Sequence, residues 1–363
     1  MDTKQADLDS FPMDIAPYEE WQKSEGIPSI GGFNIEDLNT APLSPWARMG
    51  GSGAFINLTG AEMSLDGYLV EIPPGKRLNP EHHMYEELIL VLQGRGATTI
   101  WTEGGDQQSF EWEEGSLFSP PLNVWHQHFN GQGDRPVRLV AITNAPLLIN
   151  LFHNQDFIFN SDYIFGDRYS GGEDYFSVKG KAHPERIWET NFVANVYDFG
   201  LKAWPERGIG TNMMLEMASN TITAHISEFP VGTYKKAHRH GSTAHLIILS
   251  GQGYSLMWDD HGEKVRVDWS KGSIFSNGHD KWFHQHFNSG REPARYLALR
   301  DGSRKYGRLS FICSRRPKGW VSTKEGGFQI EYEDEDPEIR RLFESELAKV
   351  GEKCILPPVA RDA

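Results

Sequence analysis

Apolar positions along this chain come in short blocks separated by turn residues. Leu88 to Leu92 and Leu246 to Leu249 are apolar runs of the length a buried strand takes. Gly94-Arg95-Gly96 and Gly251-Gln252-Gly253 close those runs. Ala97 to Trp101 and Tyr254 to Trp258 follow, each leading into an acidic, Gly-containing turn and a new strand pair. Many short strands at close spacing predict an all-β barrel or sandwich.

The pattern occurs twice. Gly75, His83, Gly94, Trp101 and Gly115 recur as Gly232, His240, Gly251, Trp258 and Gly272, each pair 157 residues apart. Trp125-His-Gln-His-Phe-Asn130 recurs as Phe283-His-Gln-His-Phe-Asn288, now 158 apart, and Pro136 and Pro293 restore the offset to 157. The second copy gains one residue before His284 and loses one soon after, the mark of a duplicated domain. The expected organisation is an irregular N-terminal arm over 1–50, a first barrel over 51–146, a packed aromatic linker over 147–190, a second barrel over 191–312 and a tail over 313–363. In the tail, Asp336-Pro337 reads as an N-cap with proline at the first helical position. Ile339, Leu342, Phe343 and Leu347 follow at helical spacing, predicting an amphipathic helix that docks on a barrel or on a second subunit.

Composition narrows the function. The 363 residues carry a net charge of −14 with no basic run to offset it, which argues against a nucleic-acid or anionic-membrane surface. Two cysteines, Cys313 and Cys354, give no disulfide framework and fit a reducing compartment. The N-terminus lacks the apolar core of a secretory signal, and no stretch is long and apolar enough for a membrane helix. A cytoplasmic protein acting on a small molecule is expected.

Nine of the fourteen histidines fall in four windows: His82 and His83; His126 and His128; His238, His240 and His245; His284 and His286. Residues two apart on a strand face the same way. A barrel that sets the later windows side by side would direct the imidazoles of His238, His240, His284 and His286 into one cavity. Imidazole suits Fe, Ni, Cu, Zn and Mn.

These residues resemble the cupin signature, G-x5-H-x-H-x3-4-E-x6-G followed by G-x5-P-x-G-x2-H-x3-N. The first copy gives Gly75, Glu81-His-His83, Glu87 and Gly94, then Gly115, Pro121, His126 and Asn130. The second gives Gly232, His238-Arg-His240 and Gly251, then Gly272, His284 and Asn288. The resemblance covers about residues 60–145 and 217–302 and implies two double-stranded β-helix (jelly-roll) barrels in one chain, a bicupin. It implies metal ligands His83, Glu87 and His126 in the first copy, with Glu81, which stands where the family has its first histidine, as a further candidate. In the second copy it implies His238, His240 and His284, alone or with His245, because Ala244 stands where the glutamate is expected. His128 and His286 are expected beside the ligands, orienting them or touching substrate. Asn130 and Asn288 are expected to anchor strand ends.

Bicupins with histidine-rich sites resemble dioxygenases, so the leading expectation is an Fe(II) dioxygenase acting with dioxygen on a small aromatic or oxygenated substrate. Mn, Ni, Cu or Zn are the other metals the ligands suit. The alternative is a decarboxylase, lyase or isomerase of small acids, because Glu87 with histidines resembles the Mn-type sites of oxalate-degrading bicupins. A non-catalytic binding or storage protein comes third. The arm and terminal helix point to a homodimer built by exchanging such segments.

Overall fold

The computed structural model of the chain describes residues 15–61, 64–240, 244–279, 281–306 and 320–359. Cys313 and residues 1–14 of the arm lie outside that set. The architecture is all-β, with two barrels, each made of one large and one three-stranded sheet. In the first barrel the large sheet runs in the order Gly51–Leu58, Asp66–Ile72, Val137–Thr143, Glu87–Gln93 and Leu117–Phe118. Its small sheet sets Arg95–Trp101 between Trp125–Asn130 and Gln108–Glu113. The second barrel repeats this with Thr211–Glu216, Ile222–Phe229, Ala294–Asp301, Ala244–Ser250 and Ile274–Ser276, and a small sheet of Lys264–Ser270, Gln252–Trp258 and Phe283–Asn288.

The continuous apolar runs follow from burial on both faces. Along Glu87–Gln93, Ile89 and Val91 fill the first barrel, while Leu88, Leu90 and Leu92 turn outward. There they meet Ile247, Leu249, Leu297 and Leu299 of the second barrel in one shared core. The two large sheets therefore pack back to back, leaving each barrel its own interior.

The arm is more regular than its sequence predicts. It holds a helix, Pro17–Glu25, whose Tyr18 and Trp21 are buried against the first barrel. Ser29–Gly32 pairs in parallel with Gly51–Leu58, and Asn34–Ile35 then crosses to the edge of the second barrel at Ile274–Ser276. The linker does the converse. Ile187–Glu189 pairs in parallel with Thr211–Glu216 of the second barrel, and Phe192–Val193 crosses to Leu117–Phe118 of the first. The exchange is reciprocal down to single bonds: Leu38 N donates to Gly272 O at 2.9 Å and Val196 N to Gly115 O at 2.8 Å. Gly115 and Gly272 sit at φ 90° and 93°. A Cβ there would strike Asn195 and Tyr197, or Asp37 and Asn39, of the crossing segments. Only glycine serves both the turn and the close approach.

The linker is less packed than expected. It forms two short helices, Ala145–Phe152 and Gln155–Phe159, which bury Ile149 and Ile158 but leave Phe152, Phe157 and Tyr163 exposed. The terminal helix is Pro337–Val350, capped by Asp336, and buries Ile339, Phe343 and Leu347 against Tyr234, Tyr254 and Phe287 of the second barrel. The described part of the arm and the terminal helix thus dock on their own chain. No described helix is long and apolar enough to cross a membrane.

Candidate metal centres

In the first barrel, the chain after Gly75 runs extended beside Trp125–Asn130. Glu81 and His126 exchange backbone hydrogen bonds at 3.0 and 2.9 Å, which places their side chains together. His83 follows two residues on, and Glu87 opens its strand on the face that carries Ile89 and Val91. His83 Nε2 and His126 Nε2 lie 3.5 and 3.3 Å from Glu87 Oε1, and His126 Nε2 lies 3.8 Å from Glu81 Oε1. The Nδ1 atoms of His83 and His126 face the carbonyls of Tyr85 and Val124 at 2.8 and 3.0 Å. A ring nitrogen bonded to a carbonyl carries its hydrogen there, so in the neutral rings both Nε2 atoms present lone pairs. Four acceptors then converge with no donor among them. His83 Nε2, His126 Nε2 and Glu87 Oε1 are buried without a hydrogen-bond partner. A cation completes such a cluster, and two imidazoles with two carboxylates suit a divalent ion.

Electrostatics agree. Burial alone would raise the Glu81 carboxyl, but the Arg48 guanidinium at 2.8 Å, followed by His126, brings it down to about 2. Against the same burial, His83 and His126 hold Glu87 well below the usual carboxylate range. His126, which burial would lower, is driven up to about 10 by Glu81 and Glu87. Tyr68 donates to Glu87 Oε2 at 2.7 Å and fixes its orientation.

The second barrel repeats the geometry with different chemistry. His238 and His284 exchange backbone hydrogen bonds at 3.1 and 2.9 Å, as Glu81 and His126 do. Their Nδ1 atoms face the carbonyls of Lys236 and Trp282 at 3.1 and 3.3 Å, and their Nε2 atoms meet at 3.1 Å. The His240 ring lies 5.6 and 4.8 Å from those of His238 and His284. One donor nitrogen from each of the three falls within 4.8 Å of the others. Burial lowers all three, the more so through Arg207 beside them, and His284 falls to about 3. Neutral imidazoles with facing lone pairs are the form a metal takes.

His245 does not join this centre. It lies on the face of Ala244–Ser250 that carries Ile247 and Leu249 toward the core between the barrels, whereas Ala244, Leu246 and Ile248 face inward. Strand alternation decides this, and no bulge turns the side chain round. Burial is the sole cause of its depressed basicity, with no contribution from the other histidines. His82 likewise turns away, to Asn123 and the Trp125 ring.

His128 and His286 stand behind the ligands in matching settings. Their Nδ1 atoms meet Thr98 Oγ1 and Ser255 Oγ at 2.7 and 2.8 Å, and those hydroxyls accept from Trp112 and Trp269. Asn130 and Asn288 bond the carbonyls at the strand ends, as expected.

Sequence reasoning missed Arg48, Tyr68, Arg207 and Lys235. Arg48 lies in the arm, outside the repeat. The other signal was present in the 157-residue offset, which matches Tyr68 with His225 and Leu78 with Lys235.

Residues 68–143, within the first barrel, match the family model described as the cupin domain. The chain has the fold of a bicupin. Among solved structures this bicupin is similar to the Lactobacillus farciminis oxalate decarboxylase formate complex, at 14% identity and TM-score 0.51, over 75% of this chain and 86% of that one. A Bacillus subtilis oxalate decarboxylase mutant gives 13% and 0.50, over 74% and 77%. A hazelnut (Corylus avellana) vicilin gives 12% and 0.48, over 74% and 86%. No curated protein sequence matches the bicupin. At these identities the likeness concerns the fold.

Proposed function

We propose that this bicupin is a metal-dependent enzyme that decarboxylates, cleaves or isomerises a small carboxylic acid at the first barrel. The observation that carries the reading is the cluster of Glu81, His83, Glu87 and His126, whose facing atoms are all acceptors. A divalent ion bound there would act as a Lewis acid toward a carboxylate or hydroxyl oxygen. Two carboxylate ligands offset its charge and fit a hard ion of the Mn type better than an all-histidine set does. The oxalate decarboxylases of like fold favour the same class by analogy.

The protein groups have separable tasks. Arg48 keeps Glu81 ionised and fixes Oε2, leaving Oε1 to ligate or to accept a proton. Tyr68 holds Glu87. His128 is brought down to about 4 by burial and then by His126, and its buried Nε2 has no partner. It can therefore receive a hydrogen bond beside the centre.

The second barrel favours a second reading for its own site. His238, His240 and His284 form a set without a carboxylate, the type expected of an oxygen-using Fe(II) centre. One experiment separates the two. Metal-loaded protein is supplied with a panel of small acids, with and without oxygen, while carbon dioxide release and oxygen uptake are followed. The proposal expects oxygen-independent turnover that E87Q abolishes. Turnover that consumes oxygen and survives E87Q would move the chemistry to the second barrel, and a chain that takes up no metal would end both readings.

A further inference from the structure

The two barrels differ most in what lies behind their centres. In the first, Leu78, Val70 and Leu139 are buried apolar residues. The second has Lys235, Ser227 and Tyr296 at the same places. The equivalence rests on backbone pairing: Val70 faces Leu139 as Ser227 faces Tyr296. Leu78 N donates to His128 O, and Lys235 N to His286 O. Three apolar positions have thus become an ammonium and two hydroxyls.

Lys235 is 3% exposed, with Ser227 and Tyr296 equally deep. Its Nζ donates to Ser227 Oγ and, at 3.2 Å, to the Tyr296 hydroxyl. The aromatic rings of Tyr296, Phe229 and Trp204 lie 4.9, 5.2 and 5.4 Å away. Among the described residues no carboxylate pairs with it. The charge that bears on it is another cation, Arg207, itself buried with Nε unpartnered and Nη1 on Gln329. Of the acidic groups that act on Arg207, Glu331 is paired with Lys236 at 2.5 Å. Burial, then Arg207, lowers Lys235 to about 7.

A buried charge without a counter-charge costs several kcal/mol, on the order of the penalty for breaking an internal ion pair. The first barrel folds with leucine at this place, so the fold does not require the lysine. The second centre adds to the imbalance, because its three histidines bring no negative charge to a bound dication. The Tyr296 ring that Lys235 reaches lies 5.6 Å from the His286 ring, which in turn lies 5.7 Å from His284 of the centre, so Lys235 and the centre border the same interior.

We propose that the second barrel holds a small carboxylate, its oxygens set between the His238–His240–His284 centre and the Lys235 ammonium, with the Ser227 and Tyr296 hydroxyls and Arg207 completing the cradle. The ligand supplies the counter-charge that the chain omits. This site is separate from the first-barrel cluster and does not depend on the reaction assigned there.

The test is calorimetric titration of full-length, metal-replete protein with formate, acetate, oxalate and benzoate, with benzyl alcohol and inorganic phosphate for comparison. Intrinsic tryptophan fluorescence, to which Trp204 beside Lys235 contributes, gives a second readout. At least one carboxylate should bind at a site that persists in H83A/E87Q, and benzyl alcohol should not. K235M should weaken carboxylate binding by about tenfold or more, the scale of a charge-assisted hydrogen bond. The same change should raise the melting temperature, because it removes a buried charge, whereas loss of a merely structural lysine would lower it. The S227V/Y296L pair, which restores the residues of the first barrel, should weaken binding if K235M does not fold. H83A/E87Q, which removes the first centre, should retain the carboxylate binding that K235M weakens, even where it abolishes turnover. The proposal is overturned if no carboxylate binds, if phosphate binds and carboxylates do not, if benzyl alcohol competes equally, or if the folded Lys235 or Ser227/Tyr296 variants bind unchanged.

Discussion

Ala244 occupies in the second barrel the place that Glu87 holds in the first. Glu87 pairs with Thr143 and Ala244 with Arg300, at the same position of equivalent strands. One centre therefore carries a carboxylate at the strand start and the other has a methyl group there. The difference sets the charge of each centre and predicts that they load independently. H83A/E87A should strip metal from the first barrel alone, and H238A/H240A from the second alone. Elemental analysis of the two variants beside the native chain checks this. A variant that keeps the full native metal content would show that its barrel is not a centre.

Tyr68 offers a finer probe of the first centre. Its hydroxyl donates to Glu87 Oε2, the oxygen that does not face the histidines. Y68F should lower first-centre metal affinity by roughly tenfold, the scale on which supporting hydrogen bonds act. The second centre should be untouched, because His225 stands in the corresponding place. Chelator competition at graded concentrations would resolve the two sites.

Much of this was legible because ligand chemistry and strand geometry leave a spacing in the sequence. The paired histidines, the Gly residues at positive φ and the 157-residue offset locate both barrels and the side chains that cluster in each, Glu81, His83, Glu87 and His126 in the first and His238, His240 and His284 in the second. The sequence leaves His245 open because a single residue decides which face of a strand it takes, and nothing in it fixes that register against Ala244. The arm read as irregular because its strands are two to four residues long and pair across barrels. Such pairing leaves no periodicity. Arg48 was invisible for the same reason, since it reaches Glu81 only through the folded arm.

Arg138 and Arg295, which recur at the 157-residue offset, serve the fold and not the centres. Arg138 donates to the carbonyls of Leu38, Asn39 and Ala41 and pairs with Glu71. Arg295 donates to Val196 and Phe199 and pairs with Glu228. Each pins one crossing segment to the junction of the barrels. R138A should lose about 2 kcal/mol or more of stability, because it strands buried carbonyls without a donor. R295A should behave alike. Urea unfolding measures the loss, and metal content should stay at the native level in both. A stable variant with weakened substrate binding would instead place these arginines at the site.

His245 predicts an acid sensitivity that can be isolated. Burial alone brings it from 6.5 to about 3, and both ring nitrogens are buried without a hydrogen-bond partner. The folded chain keeps it neutral while the unfolded chain protonates it below about 6.5, so the unfolded state binds more protons. Stability must then fall as pH drops through that window, by about 1.4 kcal/mol per pH unit for this one group, until the folded ring itself takes a proton near 3. H245L removes both the titration and the unpartnered nitrogens. Between pH 6 and pH 5 the native chain should lose about 1 kcal/mol more than H245L in urea unfolding, and at neutral pH H245L should be the more stable of the two. Its metal content should equal that of the native chain, because His245 faces the core between the barrels and not the ligands; metal loss in a folded H245L would place it in the centre after all.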